Sequence, residues 1–402
     1  FLLWGFWHAV LGVVLIIVAK NWESPVMAVV CLINAIIISF LLGVYFLGAK
    51  IGTSPFLMLE DVFTKNELFN RENYMERITD GRGLNALLQN YWMVIHPPVL
   101  FLGFASTAIP FAFGIAGLWT KDYSGWVKPA LPWTIFSGAV LGTGILMGGA
   151  WAYEALSFGG FWAWDPVENA SFVPWLTLIG GLHTMVIFKS TGQAMRTTLV
   201  MIFLTFIFVL YSSYLTRSGI LGDSSVHAFV TAGLDLQLIL LVLTFVAIPT
   251  VLFIKHFKNI PTPKKEEATS SREFWMFIGA LVFLLAALHI SISTSAPIFG
   301  MSITEPITYY TNVHIWVAVI IAFFTAFIQY LKYKKTNVKK FFSNLVISAA
   351  VSLGLTLVLA KAYGFSILID VSLAGSGAFK SPNPEFILLY CTTFAALANL
   401  YY

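Results

Sequence analysis

The sequence predicts an all-α integral membrane protein with about eleven transmembrane helices. Hydrophobic residues make up 58% of the 402-residue chain and charged residues only 10%, a balance far outside the range of soluble globular proteins. The apolar residues are gathered in runs long enough to cross roughly 30 Å of hydrocarbon. These runs fall near residues 2–19, 26–48, 95–118, 132–150, 172–188, 197–215, 233–254, 274–293, 310–330, 342–360 and 385–402.

The basic residues predict which connecting loops face the cytoplasm. One set of alternate loops holds 15 of the 23 Lys and Arg residues and the other set holds 8, so the positive-inside rule assigns the first set to the inner side. The inner loops are 20–25, 119–131, 189–196, 255–273 and 331–341. The outer loops are 49–94, 151–171, 216–232, 294–309 and 361–384. The short basic inner loops account for the net charge of +4, so no nucleic-acid partner is indicated.

The two cysteines do not indicate disulfide or dithiol chemistry. Cys31 and Cys391 both fall inside predicted spans and there is no CxxC motif, so neither a disulfide framework nor dithiol chemistry is expected.

The chain begins at Phe1 within one apolar run and ends at Tyr402 within another. We therefore expect it to be a piece of a longer protein.

An outer loop is unusually rich in aromatic residues and glycine. Residues 148–175 read GGAWAYEALSFGGFWAWDPVENASFVPW. An aromatic belt at the membrane interface explains some of the tryptophans, but it does not explain the glycines, which permit close approach of the backbone to a flat object. A planar ligand accounts for both features. The candidate platform residues are Trp151, Trp162, Trp164 and Asp165.

Within this loop, the segment WDPVEN carries a helix-start signature. Asp165 is suited to the N-cap, Pro166 to the first helical position and Glu168 to the third. We expect these carboxylates to cap a short helix along the membrane surface, with the preceding tryptophans forming a shelf.

Two histidines are candidates for ligating an iron at the outer face. His96 lies in VIHPP at the outer start of a span, and His227 lies in SSVHAF in the outer loop 216–232. Pro97 restricts His96 and suits the first turn of a helix. Two neutral imidazoles on opposite sides make good axial ligands for haem iron. A hydrogen-bonded role at the interface is the alternative for each histidine.

His183 and Arg217 have two interpretations each. His183 lies about 16 Å deep in a span at 1.5 Å per residue, where a polar residue usually marks a functional path. It could ligate a second haem or bond a neighbouring helix. Arg217, at an outer helix end, could pair with a haem propionate or extend towards the interface. The remaining histidines have no surrounding motif and are expected to be structural: His8, His256, His289 and His314.

The stretch Trp151–Trp175 resembles the tryptophan-rich signature of the haem-handling family that includes CcmF, CcmC and CcsA. Its form WDPVEN is similar to the CcmF branch, as are DGRGLNALLQN at 80–90, VIHPPVLFLGF at 94–104 and TRSGILGDSSVHAF at 216–229. The resemblance covers most of residues 1–330, which we interpret as a haem-handling transmembrane domain. Residues 331–402 would form a truncated C-terminal transmembrane region.

The resemblance implies a role for each candidate residue. His96 and His227 would ligate a haem awaiting attachment, with Trp151, Trp162, Trp164 and Asp165 in its platform. His183 would ligate a resident b-type haem whose second ligand lies beyond residue 402.

The resemblance also implies an activity, that of a cytochrome c haem lyase. Haem b would arrive from the chaperone CcmE, and its vinyl groups would be joined to the CxxCH thiols of apocytochrome c. The expected partners are CcmH-like thiol-reducing proteins, membrane lipid and a quinol electron donor. The expected location is the periplasmic face of the bacterial inner membrane.

Three alternatives to the haem lyase stay open. The first is a haem exporter or channel of the CcmC or CcsA type, against which WDPVEN and HPP argue. The second is a b-type electron-transfer subunit, which needs paired histidines across two spans that the sequence does not reveal. The third is a transporter with an aromatic gate and no cofactor.

Overall fold

The described part of the protein is built from eleven long helices. The computed structural model describes residues 1–57, 76, 80–81, 83–155, 160–222, 225, 233–262, 268–371 and 379–401. The helices are α1 (Leu2–Val18), α2 (Glu23–Ser39), α3 (Trp92–Trp119), α4 (Val127–Ala155), α5 (Pro166–Thr191), α6 (Met195–Arg217), α7 (Asp235–His256), α8 (Arg272–Thr294), α9 (Pro306–Gln329), α10 (Val338–Tyr363) and α11 (Pro384–Tyr401). Short 3-10 segments lie at Lys20–Trp22, Ala86–Leu88 and Ala296–Phe299.

These helices confirm the prediction of an all-α, multi-pass membrane protein. Within the described ranges, nine helices are long and apolar enough to cross a bilayer, and α1 and α11 contain shorter apolar helices. Helices are the favoured spanning elements because they satisfy every backbone hydrogen bond internally in lipid. Each of the eleven predicted apolar runs has its helix.

One predicted span was too long at its outer end. The apolar run 26–48 predicted a single helix, but α2 ends at Ser39. The chain then forms an antiparallel hairpin of β1 (Val44–Phe46) and β2 (Ala49–Ile51). Gly43 before it has a φ of +63°, a left-handed conformation that ends the helix at low cost in glycine. A second hairpin joins β3 (Leu368–Val371) to β4 (Phe379–Pro382) between α10 and α11.

Helix α3 forms the centre of the largest core. It packs along α4 and also contacts α1, α2, α6 and α7. Two glycines allow the α3 and α4 backbones to touch, since a Cβ built on Gly103 would lie 2.7 Å from the Leu141 Cα and one on Gly144 would lie 2.8 Å from the Leu100 Cα. Small residues at such contacts are typical of membrane helix pairs. The outer end of α3 is thereby held against the outer end of α4.

Helix α5 organises the second core. It packs between α4, α6 and α8, and its Val173 and Leu176 join Phe283 of α8 and Tyr310 of α9 in one apolar cluster. A third cluster joins α9 to α10 and α11 near Tyr330. With consecutive spans crossing in opposite directions, the end of α4, residues 160–165 and the start of α5 lie on the same side as the start of α3.

The expectation of a short surface helix after Asp165 was wrong. Helix α5 runs without interruption from Pro166 to Thr191. Its polar first turns looked like a separate surface helix because their hydropathy is low. In the structure, however, Asn169 is buried, and its side-chain amide donates hydrogen bonds to the Trp164 carbonyl (3.2 Å) and the Thr294 hydroxyl (3.1 Å). A neighbouring helix therefore supplies a partner for the amide nitrogen of Asn169.

Candidate functional site

His96 lies in the first turns of α3, where its ring is fixed by α4. Its Nδ1 is 2.9 Å from the Gly144 carbonyl oxygen. Since a carbonyl can only accept, Nδ1 carries the proton and donates. The lone pair of this tautomer is on Nε2, the arrangement typical of a metal-ligating histidine whose other nitrogen is held by a backbone carbonyl.

The His96 ring also rests on the surface of α4. A Cβ added to Gly148 would lie 2.9 Å from the His96 Cε1, so any larger residue there would displace the ring. One turn further along α4, the Trp151 ring meets His96 edge-on, with 5.8 Å between ring centroids and 66° between planes. The structure thus brings together two of the residues that the sequence singled out.

A carboxylate bridge ties the outer start of α3 to the end of α4. The Tyr91 hydroxyl donates to Glu154 Oε1 at 2.9 Å, and the Trp92 indole N–H donates to Glu154 Oε2 at 2.7 Å. The hydrogen bond to Glu154 raises the pKa of the Tyr91 phenol, which therefore stays protonated at neutral pH. We call these three residues the Glu154 bridge. No motif in the sequence predicts it.

Trp162 and Trp164 belong to a second aromatic group. Their rings are 5.8 Å apart and nearly perpendicular, at 86°, and Trp162 also contacts Phe172 of α5 at 5.6 Å. Trp164 stacks on Tyr310 of α9 at 5.2 Å, and its indole N–H donates to the Thr311 hydroxyl at 3.1 Å. The indoles therefore face different directions and do not form one flat shelf.

The backbone of Trp164 is in an unusual conformation. Its φ is +57°, in the left-handed region that bulky residues seldom adopt. Such strain persists only where surrounding contacts enforce it, and it is concentrated at functional sites. Here the stacking on Tyr310 and the indole hydrogen bond hold Trp164 in place.

The glycine pair at the end of α4 accommodates rings of the protein itself. Gly148 faces the His96 ring, and a Cβ on Gly149 would lie 2.8 Å from the Phe161 Cε1. The sequence predicts a planar ligand against these glycines. In the structure the His96 and Phe161 rings pack against them on the surface of α4. This packing connects the His96 region to the Trp162 group.

Asp165 is the N-cap of α5, as predicted. Its Oδ1 accepts from the Val167 N–H at 2.8 Å, and Glu168 Oε2 accepts from the Asp165 N–H at 3.0 Å, which completes a capping box. Asp165 Oδ1 also accepts from the Ser225 hydroxyl at 2.8 Å. The loop that carries His227 is thus tied to the tryptophan-rich segment at Ser225. His227 itself lies outside the described residues, so its approach to His96 stays a prediction.

Replacing Asp165 by alanine should destabilise the protein by about 1–2 kcal/mol, because the cap of α5 and the bond to Ser225 are both lost. Asparagine is an equally good N-cap and keeps an acceptor oxygen, so Asp165→Asn should retain most of that stability. Thermal unfolding of the full-length protein in detergent measures the difference. Equal losses for alanine and asparagine would contradict the capping role.

Arg217 and His183 lie on helices α6 and α5. Arg217 is the last residue of α6 and is partly buried at its outer end. His183 is on α5, and its Nδ1 is 2.7 Å from the Ile179 carbonyl oxygen, so its lone pair is also on Nε2. The ring lines a cavity of about 240 Å³ between α5, α8 and α9. Phe283, Met276 and Arg272 lie among the other lining residues.

A histidine pair near the outer ends of α8 and α9 was not predicted from the sequence. His289 Nδ1 is 3.1 Å from His314 Nε2, and the His314 ring lies 5.0 Å from the Trp164 ring. Both histidines were expected to be structural, and paired histidines across two spans were not seen. The available signal was Tyr310 and His314 at a spacing of four on α9, which places them on one helix face.

This pair does not have the geometry of a haem sandwich. Two nitrogens on opposite sides of one metal lie about 4 Å apart, because metal–imidazole bonds are about 2 Å long. The His289 and His314 nitrogens are closer than that, and the ring centroids are only 5.2 Å apart. The two imidazoles therefore bond each other directly. This histidine pair therefore does not support the alternative of a b-type electron-transfer subunit.

Comparison with known proteins points to one family. Residues 1–221 match the family model described as Cytochrome C assembly protein. The chain is 35% identical over 223 residues to the cytochrome c-type biogenesis protein CcmF of Pseudomonas aeruginosa, which covers 54% of this chain and 33% of that protein. It is 30% identical over 288 residues to CcmF of Escherichia coli, covering 70% of this chain and 44% of that protein.

A solved structure has the same fold. The chain superimposes on a protein titled Cytochrome c Heme Lyase CcmF with a TM-score of 0.61 and 21% sequence identity, covering 89% of this chain and 50% of that one. The matches to the two CcmF proteins span 33% and 44% of those relatives' length, so this chain covers less than half of either.

Proposed function

The chain belongs to the cytochrome c assembly protein family, and from this premise we propose that it handles haem during cytochrome c maturation. In this proposal the protein receives haem b from a haem chaperone of the CcmE type. It then positions the two vinyl groups for attachment to the CxxCH thiols of an apocytochrome c. The reaction takes place at the periplasmic face of the bacterial inner membrane.

The observation that carries the proposal is the geometry of His96. An imidazole whose Nδ1 is engaged by the Gly144 carbonyl and whose ring is fixed by Gly148 and Trp151 offers Nε2 as a ligand in a defined direction. Holding a ligand with a backbone carbonyl is how proteins set the tautomer and orientation of metal-binding histidines. The aromatic rings beside it suit the flat, apolar faces of a porphyrin.

The other outer residues have supporting roles in this proposal. His227 supplies the second axial nitrogen for the substrate haem, and Trp162 and Trp164 form a wall of the platform. Asp165 ties the His227 loop to this wall through Ser225. Arg217 pairs with a haem propionate, for which a guanidinium is well suited.

The protein contributes to this reaction by positioning the haem and the thiols. Each thiol of the apocytochrome adds across one vinyl group: the S–H bond and the vinyl π bond break, a C–S and a C–H bond form, and no group leaves. This addition requires no general base from the protein if haem and thiols are held in the correct orientation, since proximity alone can remove much of a barrier. Partner proteins supply the thiols in reduced form, and a quinol supplies electrons to the iron.

His183 fits one side of a resident b-type haem. The chemistry of its donor set agrees with that role, because Nδ1 is fixed by the Ile179 carbonyl and the ring lines an intramembrane cavity. Of the described residues, no second histidine lines this cavity. A b-type haem bound there supplies one-electron transfer. His183 would bind and orient it through Nε2.

A reporter experiment separates attachment from transport. The full-length protein is expressed with its haem chaperone, its thiol-reducing partners and a periplasmic CxxCH reporter. Covalent haem on the reporter, seen as haem that survives denaturing electrophoresis, supports the lyase. Haem that reaches the periplasm without attachment supports the exporter or channel. Purified protein without a Soret band, together with a reporter free of haem, supports the cofactor-free transporter.

A further inference from the structure

We propose that Glu154 is a positioning residue for the outer haem site: its carboxylate holds the first turn of α3 against α4 and so sets the direction in which His96 points. The inference rests on the proposed function, in which His96 binds the haem iron. Glu154 itself contacts Tyr91 and Trp92, and it acts on His96 through the helix turn that carries them.

The turn that carries His96 lacks two of the usual helical hydrogen bonds. Pro97 and Pro98 follow directly and lack backbone N–H groups. The carbonyls of Met93 and Val94 therefore lack their usual helical donors four residues ahead. A turn weakened in this way depends on contacts from outside the helix to fix its geometry.

Glu154 supplies such a contact from a position that its own helix does not favour. It lies in the last turn of α4, where the helix dipole disfavours a negative charge. Its carboxylate instead faces Tyr91 and Trp92, the N-cap and first residue of α3, where the dipole of α3 favours an anion. The placement of Glu154 is thus explained by α3 and not by α4.

The contacts between α4 and the start of α3 lie on one face of each helix. On α4, residues 144, 148, 151 and 154 follow spacings of four, three and three, which place them in one stripe. Gly144, Gly148 and Trp151 contact His96, and Glu154 contacts Trp92. Trp92 and His96 are four residues apart on α3, so they share a face. The bridge therefore closes the outer end of the surface that holds His96.

The test compares haem binding in variants of the full-length protein. Glu154→Ala should weaken binding of haem at the outer site by about fivefold, the effect of losing hydrogen bonds of ordinary net strength. The spectrum of the bound haem should shift towards a species with one weak axial ligand, and added imidazole should restore it. Tyr91→Phe removes only one hydroxyl and should show a smaller shift in the same direction. Glu385→Gln, at the outer start of α11, is the control and should leave the haem spectrum unchanged.

The outcomes separate this inference from the proposed function. If the unaltered protein binds no haem that depends on His96, the proposed function fails. If such haem binds and its affinity and spectrum are the same in Glu154→Ala and Tyr91→Phe, the positioning role is wrong. Lower thermal stability in both variants with unchanged haem spectra would reduce the bridge to a structural contact and would also overturn the inference.

Discussion

The full-length protein with His96→Ala should lose covalent attachment of haem to a CxxCH reporter almost completely. The substitution removes the proposed axial nitrogen, together with the bond that Nδ1 makes to the Gly144 carbonyl. Losing even an outer-shell partner of a metal ligand commonly costs about 10- to 100-fold in metal affinity, so losing the ligand itself should cost at least about 100-fold. The measurements are the yield of reporter with bound haem and the Soret spectrum of the purified protein.

Two controls make the His96 result specific. His256→Ala removes a histidine at the opposite end of the membrane helices, where its Nδ1 is 3.0 Å from the Tyr123 hydroxyl; this variant should keep the outer haem. Imidazole added to His96→Ala should restore the low-spin spectrum, because it can occupy the vacated ligand position. Attachment of haem at the normal rate in His96→Ala would contradict the proposed outer site.

The second large effect is expected for Gly148→Ala. A Cβ at this position would lie 2.9 Å from the His96 Cε1, so the imidazole must move away from α4 and its bond to Gly144 must lengthen or break. We expect haem binding at the outer site to fall by about tenfold, as for loss of a residue that orients a ligand. Haem titration of the full-length protein, followed by absorbance, measures the change.

Stability should change little in this variant. Alanine is favoured over glycine within a helix by about 1 kcal/mol, which offsets the cost of displacing the His96 ring and its hydrogen bond, so Gly148→Ala should unfold at about the same temperature as the unaltered protein. Gly354→Ala on α10 is the matched control, because no atom lies within 4 Å of a Cβ built there. Haem binding as tight in Gly148→Ala as in Gly354→Ala would show that the position of the His96 ring does not matter.

The fold was largely predictable because its strongest signals are local. Long apolar runs identify the spans, because in lipid the backbone must make its hydrogen bonds within the helix. The capping box at Asp165 is contained within four residues. Errors arose where a local signal has two readings. The apolar residues after Ser39 form a turn and a hairpin instead of more helix. The polar first turns of α5 belong to a span because Asn169 is buried against α8.

The site was predictable only in part, because its contacts join distant segments. The residues that carry a motif, His96 and Trp151, do lie together. Glu154 and Tyr91 are far apart in sequence, as are His289 and His314. Their contacts depend on which helices are neighbours and on how far one helix is shifted along the other, and no spacing within a single segment encodes this. The predicted approach of His227 to His96 would depend on a contact of the same kind.

The glycine contacts between α3 and α4 make the position of His96 dependent on how these two membrane helices pack. Gly103 on α3 meets Leu141, and Gly144 on α4 meets Leu100, so the two helices interlock at two points and cannot slide past each other by a fraction of a turn. The carbonyl that orients His96 belongs to Gly144, one of these same points. The alignment of the His96 imidazole is therefore dictated by the packing of two membrane helices against each other, and damage to that packing would appear first as a misdirected imidazole.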